Sequence, residues 1–304
     1  MRDPARTTDR DRTTLCDGPL HEPEERALLD PVIAVSDRPV APHQYRYVET
    51  HAWWLGTFGP HQHLTEHRLR QWIPARPECP WVLERELTGA QTWLTGSAEE
   101  AIADGFDLRD VAPVGRFTAP YGEFDTVLGS DLDDDFETVF HGALHEGALD
   151  IPCVAAPPRR GSWQSPTPQF LQRLPRDPVA LLDRLQEDNP GSWFGPFTAA
   201  VTALRTTLVP ADLRAAFYRA LTGLPGVDVD EDAVNVDGQA CVAIVHDAGR
   251  TRTELMIDPA DGQFAGERDT LRTDSRCGLR AGTVISTTAV RTAVVNGAGL
   301  RPAA

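Results

Sequence analysis

A chain of 304 residues that is 41% hydrophobic has the length and apolar content for one large packed domain or two small ones. Its formal charge of −16 repels phosphate backbones and anionic headgroups, which argues against nucleic acid and polybasic membrane docking. All 29 basic residues are arginine, so Schiff-base and pyridoxal-phosphate chemistry, the P-loop and the kinase signature lack the lysine each requires.

Residues 1–43 are charged, proline-containing and without period, and read as a loosely attached arm. They hold no apolar stretch of signal-peptide length, and no segment of the chain reaches the roughly 18–20 apolar residues of a spanning helix. As written, the chain is expected to be cytoplasmic and not inserted in a membrane; a lost N-terminal anchor would place it outside the cytoplasm.

The first strand is expected in "QYRYVETHAWW", with Tyr45, Tyr47, Glu49, His51 and Trp53 on one face and Val48, Thr50, Ala52 and Trp54 on the other. "LGTFGP" reads as a turn and "LTEHRLRQWI" as the second strand. "WVLERELTGAQTWLTG" reads as two strands turning at Thr88–Gly89, which completes a four-stranded meander.

The centre is helical. "LDDDFETVFHGALHE" carries an amphipathic stripe with aspartates at its N-terminus. "PRDPVALLDRLQED" has Asp177 as N-cap and Pro178 at the first helical position, and "PFTAAVTALRTTL" and "PADLRAAFYRALTGLPG" follow. The last third returns to β, with a turn signal at "DPADG" between two alternating strands. Strands, helices, then strands imply an α+β domain over residues 44–296: a curled antiparallel half-barrel sheet with helices on its concave side, and a tail at 297–304.

The blocks "YRYVETHAWW", "SWQSPTPQFLQRLPRDPVALLDRL", "SWFGPFTAAVTALRTTLVPADLRAAFYRALTGLPGV" and "RTRTELMIDPADGQFAGERDTL" resemble a family of uncharacterised actinobacterial proteins that often carry an N-terminal membrane anchor. In layout that family is similar to the lipoprotein-carrier and sigma-regulator half-barrels. The resemblance implies a concave sheet with a helical lid that holds acyl chains or lipoprotein, and it supplies no catalytic residues.

Two histidine groups invite a metal. His61, His63 and His67 share one face if extended, but His61 and His67 then stand roughly 20 Å apart, too far for one zinc. They are expected on a solvated hairpin face. Glu137, His141 and His145 recur at i, i+4, i+8, so consecutive members can meet, although "HGALH" lacks the internal glutamate of H-E-x-x-H. The G-x-S-x-G and G-x-G-x-x-G signatures are absent. Of five scattered cysteines, Cys241 reads as an inert core thiol; one pair among the rest could be oxidised, and the spacing does not choose it.

The seven tryptophans fall mostly on or beside the N-terminal strands, and most serve the core. The functional expectation is a non-enzymatic binding or regulatory protein without cofactor. It would hold a hydrophobic ligand, lipid-like or peptide, or a partner protein in a cleft lined by Tyr45, Tyr47, Trp53, Trp72 and Phe217. The alternative is a metal-dependent enzyme using Glu137, His141 and His145. A third reading is a regulator whose acidic face docks a basic partner.

Overall fold

The computed structural model describes residues 33–124, 147–191 and 195–303. Nine strands form one open antiparallel sheet: β1 (Tyr45–Phe58), β2 (His61–Pro74), β3 (Pro80–Thr95), β4 (Gly115–Pro120), β5 (Val227–Val234), β6 (Ala240–Ala248), β7 (Thr251–Ile257), β8 (Phe264–Leu271) and β9 (Val284–Val295). Their order is β4-β3-β2-β1-β9-β8-β7-β6-β5, so two meanders are joined where β9 returns to β1. Between β3 and β4 lie α1 (Ala98–Ala103) and a short 3₁₀ turn. Between β4 and β5 come α2 (Pro168–Arg173), α3 (Pro178–Asp188), α4 (Pro196–Arg205) and α5 (Ala211–Thr222). The protein is α+β, as the order of its sequence patterns implies.

Local chemistry sets the helix starts. Pro168, Pro178 and Pro196 each occupy a first helical turn, where a missing N–H costs nothing. The Asp177 carboxylate accepts from the Ala180 N–H at 2.9 Å and caps α3. The apolar stripes of α3, α4 and α5 then pack on the inner sheet face, where Leu181, Phe197, Leu213 and Phe217 meet Val48, Leu69, Leu83 and Val290 in one core.

The outer face is buried in two places. Tyr47, Trp72, Val82 and Val295 form one patch under Ala298 and Leu300, and the Trp72 Nε1–H donates to the Leu300 carbonyl at 2.6 Å. Cys241, Val245, Met256 and Ala265 form the other. Beside the second, the Asn235–Gln239 turn between β5 and β6 reaches back to β1, where Asp237 meets His51 at 2.5 Å. In a flat sheet β6 and β1, four strand spacings apart, would stand about 19 Å from each other. The sheet therefore curls.

Several expectations change in detail. The first hairpin extends to Phe58 and His61, with only Gly59 and Pro60 turning, because residues 55–58 continue the ladder with 61–64. Thr88–Gly89 is a bulge within one long β3, not a turn: β2 pairs with Leu87 and again with Gln91 across a register shift at Thr65/His67. The fourth strand of the meander is β4 instead. The segments expected as arm and tail are partly tied down, the former from residue 33 onward.

That attachment depends on one buried cation. Arg214, 1% exposed, sits on the core stripe of α5. Its guanidinium donates to the carbonyls of Gly262, Val209 and Ser36 at 3.0, 2.9 and 2.7 Å, and to Asp37 Oδ1 at 2.7 Å. Tyr218, one place along the stripe, donates to the same Gly262 carbonyl at 2.7 Å. Helix, N-terminal strap and β7–β8 turn thus share one knot. Gly262 has φ +67, and a Cβ there would stand 2.9 Å from the Ala34 carbonyl oxygen, so only glycine lets the strap lie this close.

A disulfide joins Cys79, before β3, to Cys153, with Cα atoms 4.9 Å apart. It holds the 147–163 segment against the β2–β3 connection, where the Ala156 N–H donates to the Glu78 carbonyl.

Replacing Arg214 with alanine removes the guanidinium that joins strap, helix and turn, and should cost about 3 kcal/mol in urea unfolding. Asp37→Asn, at the knot's exposed rim, should cost about 1 kcal/mol. Peptide mapping should recover Cys79 and Cys153 linked in unreduced protein, and reduction should lower stability by about 2–4 kcal/mol.

Candidate functional site

The three histidines of β2 are buried, not solvated. His61, His63 and His67 share the inner face with Thr65, and all four are at most 5% exposed. Aromatic rings pack against His63 and His67. His63 stacks on Trp93 at 4.8 Å with its edge toward Phe106, and His67 lies 4.7 Å from the Trp54 ring. Gly56 makes room beneath His63: a Cβ there would stand 2.5 Å from the imidazole.

Only His61 has a carboxylate, Asp104 Oδ2 at 2.9 Å from Nε2. Both ring nitrogens of His63, the Thr65 hydroxyl and His67 Nδ1 lack hydrogen-bond partners. Burial lowers the pKa of His63, and burial with the nearby Arg85 lowers that of His67 to about 4. Among the described residues no cluster of three or more potential ligands could hold a metal ion. Glu137, His141 and His145 lie outside the described residues.

The expected cleft residues do not share one surface. Tyr45, Tyr47, Trp53 and Trp72 alternate onto the outer face, where Tyr47 and Trp72 pack at 5.5 Å beneath the C-terminal segment. Phe217 is fully buried on the inner side, edge-on to Trp163. Bulk on both faces of the first strand is legible in the sequence; which layer covers each face is not.

A cleft lies elsewhere among the described residues. β8 and β9 pair only from Thr270↔Val284 to Arg268↔Thr287, after which they part. The Glu267 N–H donates to the Thr288 hydroxyl, and Gly266, at φ +140, lies so near that a Cβ would stand 2.2 Å from the Thr288 carbonyl oxygen. From Ala289 to Val295, β9 remains paired with β1, while no described strand pairs with its other edge.

A cleft of about 380 Å³ opens there, floored by Phe264 and Val290. Arg38 of the strap, Gln239, Asp258, Asp261 and Gln263 of the two turns, and Arg291 and Thr292 of β9 form its walls. The same turn that carries Gln239 is latched across the split. His51 Nδ1 meets Asp237 at 2.5 Å, and His51 Nε2 stands 2.7 Å from Glu66, at ion-pair distance but off the hydrogen-bond line. The Thr88 hydroxyl, burial and charge from His51 and Arg68 act on the Glu66 carboxyl, with a net fall below its ordinary range.

Comparison with known proteins gives no match: no family model, no curated protein and no solved structure is similar to this chain. The reading of the cleft rests on its own chemistry.

His67 makes the fold sensitive to acid. Its folded pKa, about 4, lies below the ordinary 6.5, so the unfolded chain binds the proton first. The neutral ring's contribution is complete above about pH 6.5 and is lost as pH falls toward 4, up to about 3 kcal/mol. Glu267, pushed up by burial against the pull of Arg205, carries the opposite sign. Unfolding free energies across pH 4–7 should therefore fall less steeply for His67→Leu than for the parent chain, and equal slopes would remove His67 as the cause.

Proposed function

We propose that this protein is a non-enzymatic binding or regulatory protein that acts outside the cytoplasm. It holds a peptide or hydrophobic ligand, or a segment of a partner protein, in the cleft where β8 and β9 part. The observation that carries this reading is the half-paired β9: backbone donors and acceptors lie along the wall of a cleft with an apolar floor. An extended chain can complete such an edge by strand addition, with side-chain pockets supplying selectivity.

Two features support the wider assignment. His63 and His67 lie buried against aromatic rings, and burial raises the Cys241 thiol to about 11, far from a nucleophile's range. The Cys79–Cys153 bond belongs to an oxidising compartment. No helix among the described residues is long and apolar enough to cross a membrane.

Native mass spectrometry of gently purified protein, before and after denaturation, tests the reading. The parent chain should carry a removable mass, and Thr292→Trp, which fills the cleft, should carry none. An equal mass on both proteins would place the ligand elsewhere, and a bare parent chain would count against the reading.

A further inference from the structure

The donors and acceptors of the cleft do not balance, and the imbalance has a definite chemistry. Its carboxylates are already engaged. Asp258 accepts from the Ala260 N–H at 2.8 Å and the Gln239 amide at 2.9 Å, and Asp261 accepts from the Gln263 N–H at 3.1 Å. Its two guanidinium groups are held by ion pairs alone and donate no hydrogen bond among the described residues. Arg38 stands 3.9 Å from Asp261 and Arg291 3.6 Å from Asp237, both beyond hydrogen-bond length, and their side chains are 68% and 65% exposed. Each guanidinium presents a fork of N–H donors matched to a planar carboxylate.

A second, independent observation lies on the same wall. Gln263 is 7% exposed, and its Oε1 is buried without a hydrogen-bond partner. A buried acceptor in that state can take an N–H from something bound. The edge of β9 that no described strand pairs adds backbone groups on the opposite side, and Phe264 and Val290 offer an apolar floor between them.

From this geometry we propose that the cleft binds the C-terminal end of an extended peptide. The proposal rests on the binding reading above and names its ligand class. The terminal carboxylate lies between Arg38 and Arg291, an amide N–H near the chain end donates to Gln263 Oε1, and an apolar side chain rests on Phe264 and Val290. The peptide backbone runs beside Ala289–Val295. A volume near 380 Å³ lies toward the small end of ligand clefts, about 300–1,000 Å³, and suits a chain end better than a long strand passing through. An N-acylated amino acid carries the same carboxylate and N–H, but it lacks the length to pair with β9.

The test uses the whole protein and acetyl-capped tripeptides of apolar residues, pooled as free acids or as C-terminal amides, with affinity read by ligand-observed NMR titration. The free acids should bind about tenfold more tightly than the amides or better, the difference expected for a charge-assisted hydrogen bond. Arg291→Gln, at an exposed position, should erase that difference. Gln263→Leu should weaken the acids, and an ester replacing the relevant peptide N–H should weaken them equally in the parent protein. Acetylated single amino acids should bind more weakly than the tripeptides.

Amides binding as well as acids would overturn the proposal and leave the broader binding reading intact. So would failure of both pools while the purified protein still carries a removable mass that Thr292→Trp abolishes. Acetyl amino acids matching the tripeptides would assign the site to a small acylated acid instead, and would overturn the peptide.

Discussion

Arg214 is the constraint on which the described architecture turns. A guanidinium taken out of water is costly unless its donors are met, and here carbonyls from three chain segments and one carboxylate meet them. Those partners belong to the strap, the end of the α4–α5 connection and the β7–β8 turn. Satisfying the charge therefore fixes where each of them lies. The strap then carries Arg38, and the turn carries Asp258, Asp261 and Gln263, to the walls of one cleft. A buried cation on a helix thus sets the position of surface groups it does not touch.

The order of layers was legible because it rests on short-range signals. Proline at a first helical position, an aspartate N-cap and alternating apolar residues each act within a few residues, and α3, α4, α5 and the strands on either side of "DPADG" lie close to where those signals put them. The errors fall where pairing at a distance decides. Gly89 suggests a turn locally, yet β2 offers partners on both sides of it, and the ladder absorbs the extra residues as a bulge. Likewise residues 33–43 look unstructured by composition, but their anchor is an arginine 177 positions beyond Asp37.

The candidate site was harder to read, for two physical reasons. Aromatic content signals burial without saying against what, so Tyr47 and Trp72 went beneath the C-terminal segment and Phe217 into the helical core. The residues that build the cleft are ordinary alone: a glycine in β8, a glutamine after a turn, two arginines in a chain rich in them. One signal was available. Arg214 falls three and four places before Phe217 and Tyr218, on the buried stripe of α5, and a charge on such a stripe demands partners from elsewhere. The "GQFAG" glycines were a second, since glycine inside a strand pattern marks a bulge or a close approach of backbones.

The treatment of strand edges gives the cleft its clearest physical meaning. An unpaired edge invites indiscriminate pairing, and both ends of this sheet are blunted against it. β4 is short and ends in Pro120. β5 carries Asp228, Asp230, Glu231 and Asp232 and is broken by a bulge at Asp230/Ala233. The half-paired edge of β9 has neither device: "AVRTAVV" is rich in strand-forming residues, with one charge and no proline. It is protected by position, recessed between β1 and the two turns that Asp237 and Arg214 hold in place. Recession prevents two sheets from meeting edge to edge, because a second sheet cannot enter a cleft of this size. A single chain end can. Among the described strands, the edge left chemically open is thus the one that geometry makes selective.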